Sequence, residues 1–301
     1  MKKSIALMLA VLIACTACFA LAEEDSDAIV DRGNEALLAE DYMTALDLYI
    51  QGAVLGNPRG VNNIGWLYEN GFGLEQSYEK ALWYYEKASE QGMSIATANL
   101  GWLYYEGKAA EKDLGKALEY FLLSAEQGNA DAMGQAGNMY LNGEGAEVDY
   151  AKALEYYTRG AELGSGMAAH NIGFMYDYGL GVEQDYRKAF EYYSRGAELG
   201  DEVSFYALGS LCYEGSGTEQ SYEKAMEYFV RSAEMGYSPA FEAVGELYRD
   251  GLGAEQDYEK AADWFHKAAE SGEVDIAREE YDNLISEGKI PADYIPKDII
   301  F

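Results

Sequence analysis

The stretch GLGVEQDYRKA, residues 179–189, places two glycines and a short polar link ahead of helix-forming residues, the order used by a phosphate-cradling loop. Such a loop needs a strand before it to aim its backbone N–H groups, and it occurs once per site. Here the Gly-x-Gly recurs at Gly71/Gly73, Gly143/Gly145, Gly179/Gly181, Gly215/Gly217 and Gly251/Gly253, each time between two helix-like segments. One unit replaces it by Gly107-Lys108-Ala109. The spelling reads as a hinge: Gly179 closes one helix, Gly181 turns the link and Asp185 caps the next helix.

Nucleophilic, metal and calcium chemistry are equally poorly supplied. Past residue 22 the chain carries His170, His266 and Cys212 as its histidines and thiol. On helical geometry His170 and Cys212 stand roughly 12–14 Å apart, too far for a nucleophile–base pair. No zinc spacing, nucleophile elbow or Ser-x-x-Lys motif with its partner motifs is spelled out. Acidic loops such as NGEGAEVD lack the alternating ligands and turn glycine of a calcium loop. The reading is of a chain with no catalytic residue, no cofactor and no metal site.

What the hinges position becomes clear when the chain is laid against itself. GWLYENGFG from Gly65 returns as GWLYYEGKA from Gly101, GNMYLNGEG from Gly137, GFMYDYGLG from Gly173, GSLCYEGSG from Gly209 and GELYRDGLG from Gly245, always 36 residues on. An unbroken period of that length predicts stacked repeats. Twelve residues after each anchor glycine comes an N-cap type: Ser77, Asp113, Asp149, Asp185, Ser221 or Asp257. Twenty-seven after it stand Gly92, Gly128, Gly164, Gly200, Gly236 and Gly272, which end a second helix of about fourteen residues. First helices open at Asn57, Asn129, Ser165 and Asp201, with Ser94 and Ser238 one place later in the other two units, and stop at the first glycine of each hinge.

Small residues at the anchor glycine and at Ala81, Ala117, Ala153, Ala189, Ala225 and Ala261 let paired helices close up. Bulk fills the pair from Leu67, Leu103, Met139, Met175, Leu211 and Leu247, and from the doublets Tyr84-Tyr85, Tyr120-Phe121, Tyr156-Tyr157, Tyr192-Tyr193, Tyr228-Phe229 and Trp264-Phe265. The pairs Glu155/Arg159, Glu191/Arg195, Glu227/Arg231 and Asp263/Lys267 read as exposed i,i+4 support, about 0.2–0.5 kcal/mol each.

These columns, with an alanine five before the anchor (Ala96, Ala132, Ala168, Ala240), closely resemble the Sel-one-like repeat, a relative of the tetratricopeptide repeat. The resemblance spans six units, 57–92, 93–128, 129–164, 165–200, 201–236 and 237–272. It implies an all-α, right-handed α/α superhelix that holds partner peptides or domains along a concave face. Two positions depart from the pattern: Cys212 stands where other repeats have Tyr68, Tyr104, Tyr140 and Tyr176, and Leu114 where the others have tyrosine. Residues 23–56 keep the second-helix pattern with four fewer loop residues and read as a tetratricopeptide-like N-terminal cap. Residues 273–301 read as a capping helix and an apolar tail. That tail either folds back over the last unit or stands free for a partner. The cysteine-rich Sel-one-like proteins of Helicobacter, described as penicillin-binding or weakly β-lactamase-like, suggest a different class of activity. They carry a cysteine pair in every repeat, and this chain carries none.

The first 22 residues, two lysines and then an apolar run, read as a secretory signal cut after Ala20-Leu21-Ala22. Leu12-Ile13-Ala14-Cys15 spells an alternative lipoprotein box with Cys15 as the lipidated residue. Removing residues 1–22 takes two lysines and no acid, moving the formal charge from −31 to −33. So acidic a surface disfavours nucleic acid and anionic membranes and favours a basic or neutral protein or peptide. The expected protein is an exported monomer, secreted, periplasmic or on the cell surface, with no membrane span. If the superhelix curves as its relatives do, its concave face takes first-helix positions three before, one after and four after each anchor. These hold Asn62, Trp66, Glu69, Trp102, Tyr105, Asn138, His170, Phe174, Asp177, Tyr206, Tyr213, Glu242, Glu246 and Arg249. The large rings among them are either groove contacts or packing between neighbouring first helices.

Overall fold

The computed structural model describes residues 25–109, 111–271 and 274–299. The leader, with Ala20, Ala22 and Cys15, lies outside them. Among the described residues there are fifteen α-helices and no strand. Every helix is 13 residues long, one fewer than expected for the second helices. In chain order they are α1 Ser26–Leu38, α2 Tyr42–Val54, α3 Pro58–Asn70, α4 Tyr78–Glu90, α5 Ser94–Glu106, α6 Leu114–Glu126, α7 Ala130–Asn142, α8 Tyr150–Glu162, α9 Gly166–Tyr178, α10 Tyr186–Glu198, α11 Glu202–Glu214, α12 Tyr222–Glu234, α13 Ser238–Asp250, α14 Tyr258–Glu270 and α15 Val274–Ser286. The architecture is an all-α solenoid of helix pairs. It divides into two compact units, Met1–Val148 and Asp149–Phe301.

Capping sets the register of each pair. The oxygens of Ser77, Asp113, Asp149, Asp185, Ser221 and Asp257 accept from backbone N–H groups in the first turn of the helix that follows each. First helices end on left-handed glycines such as Gly179 (φ 68°), whose N–H donates to Met175 O. Ser94 and Ser238 do not cap. They are the first residues of α5 and α13, and the caps are Met93 and Tyr237, which have no side-chain oxygen placed to accept. A recurring glutamine, which the sequence reading did not single out, clips the hinge. Gln76, Gln184, Gln220 and Gln256 donate from Nε2 to the carbonyls of Glu69, Asp177, Tyr213 and Arg249 at 2.7–2.8 Å.

Packing inside each pair is a ring pressed on a glycine. The second residue of each aromatic doublet is buried, and in five repeats its ring lies where a Cβ on the anchor glycine would stand, at Gly65/Tyr85, Gly101/Phe121, Gly173/Tyr193, Gly209/Phe229 and Gly245/Phe265. The first residue of the doublet is only half-buried in five of the six repeats, stacking for instance as Tyr84 on Tyr68 and Tyr192 on Tyr176. The cap α1/α2 repeats the device with Tyr49 on Gly33.

The four i,i+4 pairs do not form. Arg195 donates to Ala161 O, Arg231 pairs with Glu234 at 3.0 Å, Lys267 with Glu270 at 3.7 Å, and Arg159 lies over the Tyr156 ring. Asp263 is 8% exposed and holds the C-terminal tail, accepting at 2.8 Å from both Tyr294 Oη and the Lys297 N–H. With Ile290 buried against Phe265 and Leu284, the tail folds back on α14 and α15.

Candidate partner-binding face

The fourteen first-helix residues separate into those occupied by the fold and those left open. Asn62 is 6% exposed and sits in an amide ladder. It accepts from Asn99 and donates to Asn63, which donates to Asn34. Asn138 donates to Gln135 on its own helix, and Glu242 is half-buried on α13.

Glu69 and Asp177 are acceptors for buried phenols. Tyr85 Oη donates to Glu69 at 2.7 Å and Tyr193 Oη to Asp177 at 3.0 Å. A hydrogen bond to a charged group contributes about 1.5–3 kcal/mol, and the buried phenol would otherwise be unsatisfied. Burial, helped by the nearby Glu214 carboxylate, raises the Asp177 pKa above the usual carboxylate range. The sequence carries this signal in a correlation between columns. Where the fourth residue after the anchor is Glu69 or Asp177, the buried ring is Tyr85 or Tyr193. Where it is Tyr105, Tyr213 or Arg249, the ring is Phe121, Phe229 or Phe265. Repeat three, with Leu141 and Tyr157, stands outside the pattern. Arg249 is engaged as well, bonding Asp250 at 2.8 and 3.0 Å and Glu280 at 2.7 Å.

His170 meets Ser204 Oγ at 3.4 Å and Asp201 Oδ2 at 3.7 Å, three residue types with the composition of a hydrolytic triad. Both neighbours approach the same ring nitrogen, Nδ1, whereas a triad needs the nucleophile and the acid on opposite nitrogens. Ser204 is fully buried, and Asp201 caps α11 by accepting from the Ser204 N–H at 2.7 Å. Burial lowers the His170 pKa below its ordinary 6.5, outweighing the carboxylates of Asp201 and Glu202. Ser77-x-x-Lys80 and Ser221-x-x-Lys224 have the spelling of an acylating serine, yet each serine Oγ accepts from the lysine's own backbone N–H, at 3.3 and 3.2 Å. Cys212 is fully buried and its thiol pKa is pushed up by burial. Among the described residues no group of three His, Cys, Asp or Glu side chains is placed to hold a metal, and no helix is long and apolar enough to cross a membrane.

The aromatic candidates remain. Trp66, Trp102, Tyr105, Phe174 and Tyr206 are half-buried, each with part of its ring on its own unit. Trp66 leans on Phe72, with ring centres 5.3 Å apart. Trp102 meets Phe121 and Tyr105 edge-on at 5.2 and 5.5 Å. Tyr105 Oη donates to the Glu144 carboxylate at 3.1 Å. Phe174 packs at 4.6 Å on Tyr178, which is 63% exposed and widens this patch beyond the residues expected. Tyr206 sits 5.2 Å from Phe229, and Tyr213, 39% exposed, sits 5.2 Å from Tyr222. In the second unit a cleft of about 170 Å³ opens between α11 and α13. Tyr206 and Tyr213 line one side, Glu246 and Asp250 the other, with Phe229 and Leu247 also in its lining.

A helical-repeat scaffold with half-open aromatic faces and no assembled reaction centre among the described residues is the class that these observations define. The Sel1 repeat matches residues 58–93, 94–129, 130–165, 166–201, 206–237 and 242–273, and the chain belongs to the Sel1 repeat family. A Sel1 repeat protein of Oxalobacter formigenes is 32% identical, with a TM-score of 0.75 over 80% of this chain and 99% of that one. A protective antigen of uropathogenic Escherichia coli with the same fold is 31% identical, with a TM-score of 0.69 over 88% of this chain and 57% of that one. An immunity protein of Pseudomonas aeruginosa, 20% identical with a TM-score of 0.50 over 71% of this chain and 83% of that one, shares the fold. No curated protein matches the chain. Sel1 repeat proteins are in general protein-interaction scaffolds, and the fold is typically non-catalytic.

Proposed function

We propose that this protein is an exported, non-catalytic scaffold that binds basic or neutral peptide segments of partner proteins on its first-helix faces. The half-buried aromatic set carries this reading. Trp66, Trp102 and Phe174 are anchored on one side by their own repeat and left partly open on the other, the disposition of interface hot-spot residues. A formal charge of −31 supplies long-range attraction for a basic partner.

The test is a panel of basic, neutral and acidic peptides presented to the protein and to a Trp66→Ala/Trp102→Ala variant. Basic and neutral peptides should be retained over acidic ones, and the variant should lose about tenfold or more in affinity while staying helical. Collapse of stability with binding intact would make both rings core residues and overturn the assignment.

Export rests on the leader sequence and has its own measurement. Intact mass of the protein recovered from its source cell should show Glu23 at the N-terminus. A diacylglyceryl-modified Cys15 would instead place it on a membrane surface, and retention of Met1 would refute processing.

A further inference from the structure

The cleft between α11 and α13 carries other residues at two positions that are tryptophan four repeats earlier. Four repeats earlier, the residues one after the anchor are Trp66 and Trp102; in the cleft the same register holds Ser210 and Glu246. A serine is far smaller than an indole ring, and the glutamate puts a carboxylate in the same lining. The other counterparts are as informative. Glu69, Glu106 and Lys108 become Tyr213, Asp250 and Leu252. In the earlier groove the protein places its own ammonium group among the carboxylates: Lys108 Nζ lies 2.6 Å from Glu106 and 3.5 Å from Glu69, and 5.9 Å from the centre of the Tyr78 ring. In the later groove that lysine is a leucine. Carboxylates remain in excess there, since Arg249 pairs closely with Asp250 and Glu280 and reaches Glu246 only at 3.7 Å. Glu214, at the end of α11, adds a further acid to the lining from the opposite side.

We propose that this cleft is a specificity pocket for a lysine side chain of the partner, which takes the place that Lys108 fills from within the chain in the first unit. A lysine fits both halves of the lining. Its methylene stem would lie on Phe229, Leu247 and Leu252, and its ammonium would meet Glu246 and Glu214 beside the faces of Tyr206 and Tyr213. Burial holds the Glu246 pKa above the ordinary carboxylate range, a cost that an incoming cation relieves. The pocket rests on the scaffold reading above and adds a chemical identity to one position of the bound segment.

The probe is the peptide acetyl-Ala-Ala-Lys-Ala-Ala-amide against its norleucine counterpart, which keeps the stem and removes the charge. Titrations are followed by the resonances of Tyr206 and Tyr213. The lysine peptide should bind at least tenfold more tightly, Glu246→Gln should cost it about tenfold, and Ser210→Trp, which restores the ring found in the first repeat, should abolish binding. Equal binding of the two peptides, or undiminished lysine binding by Glu246→Gln or by a folded Ser210→Trp protein, overturns the pocket. If Ser210→Trp does not fold, Glu246→Gln decides. Running Trp66→Ala/Trp102→Ala on the wider peptide panel separates the two ideas. Loss there with no effect of Ser210→Trp leaves the scaffold standing and removes the pocket, and no effect of either removes both.

Discussion

Gly217→Ala is expected to destabilise the second unit by roughly 3 kcal/mol or more, about twice the cost of Gly236→Ala. Both glycines have positive φ, 70° and 92°, so both variants carry the left-handed penalty of about 1–2 kcal/mol that any Cβ brings. Only Gly217 is also pressed against its neighbour. A Cβ there would run into the backbone carbonyl of Tyr186, at the start of the preceding repeat's second helix, whereas a Cβ on Gly236 meets nothing within 4 Å. Backbone cannot rotate aside as a side chain can, so relief requires the repeats to separate. Urea denaturation followed by helical circular dichroism gives both values. Equal losses would mean that the second hinge glycine serves conformation alone and not contact between repeats.

The second large effect is at the C-terminal end. Phe265→Ala should cost about 3–5 kcal/mol, the range for removing a fully buried aromatic ring. The ring fills the space over Gly245 and joins Ala261, Ala262, Leu284 and Ile290 in one cluster, so its loss loosens α15 and the tail together. In a stack where each repeat is stabilised mainly by its neighbours, that loss stays local. Hydrogen exchange should show α14 and α15 losing protection while α9 and α10 keep theirs. Uniform loss across the second unit would show that it unfolds as one cooperative block.

Much of this architecture is legible in one dimension because the physics behind it is local. An N-cap oxygen three residues from the N–H that it satisfies, and a glycine that closes a helix four residues from its last carbonyl partner, need no distant contact to be recognised. Asp185 and Gly179 could be placed from the sequence for that reason. The misplacement of Ser94 and Ser238 has the same origin. The residue type was right for a cap, but the helix begins one residue earlier, with Met93 and Tyr237 as its caps. The exposed i,i+4 pairs failed for the opposite reason. Spacing makes a pair possible, and Asp263 instead found the Tyr294 hydroxyl and the Lys297 N–H, 31 and 34 residues away.

The candidate face shows the same division. Helical register groups these residues into columns, but register alone does not say what lies on either side of a column. Asn62 turned inward to Asn99 of the next repeat, and Glu69 and Asp177 became acceptors for Tyr85 and Tyr193. The phenol–acid pairs were visible in the sequence as a matched choice of residue at two columns, once the repeats are compared column with column.

By itself the sequence determined the repeat, its period, most helix ends, the glycine and ring columns and the acidic charge, since each is set by spacing of a few residues or by composition. Only the tertiary structure decided which first-helix residues are closed and which are open, and that Ser210 and Glu246, standing where Trp66 and Trp102 stand four repeats earlier, line a cleft. The physical reason is that whether a side chain is occupied or open depends on the partners that neighbouring helices bring against it, and those partners lie a full repeat away along the chain.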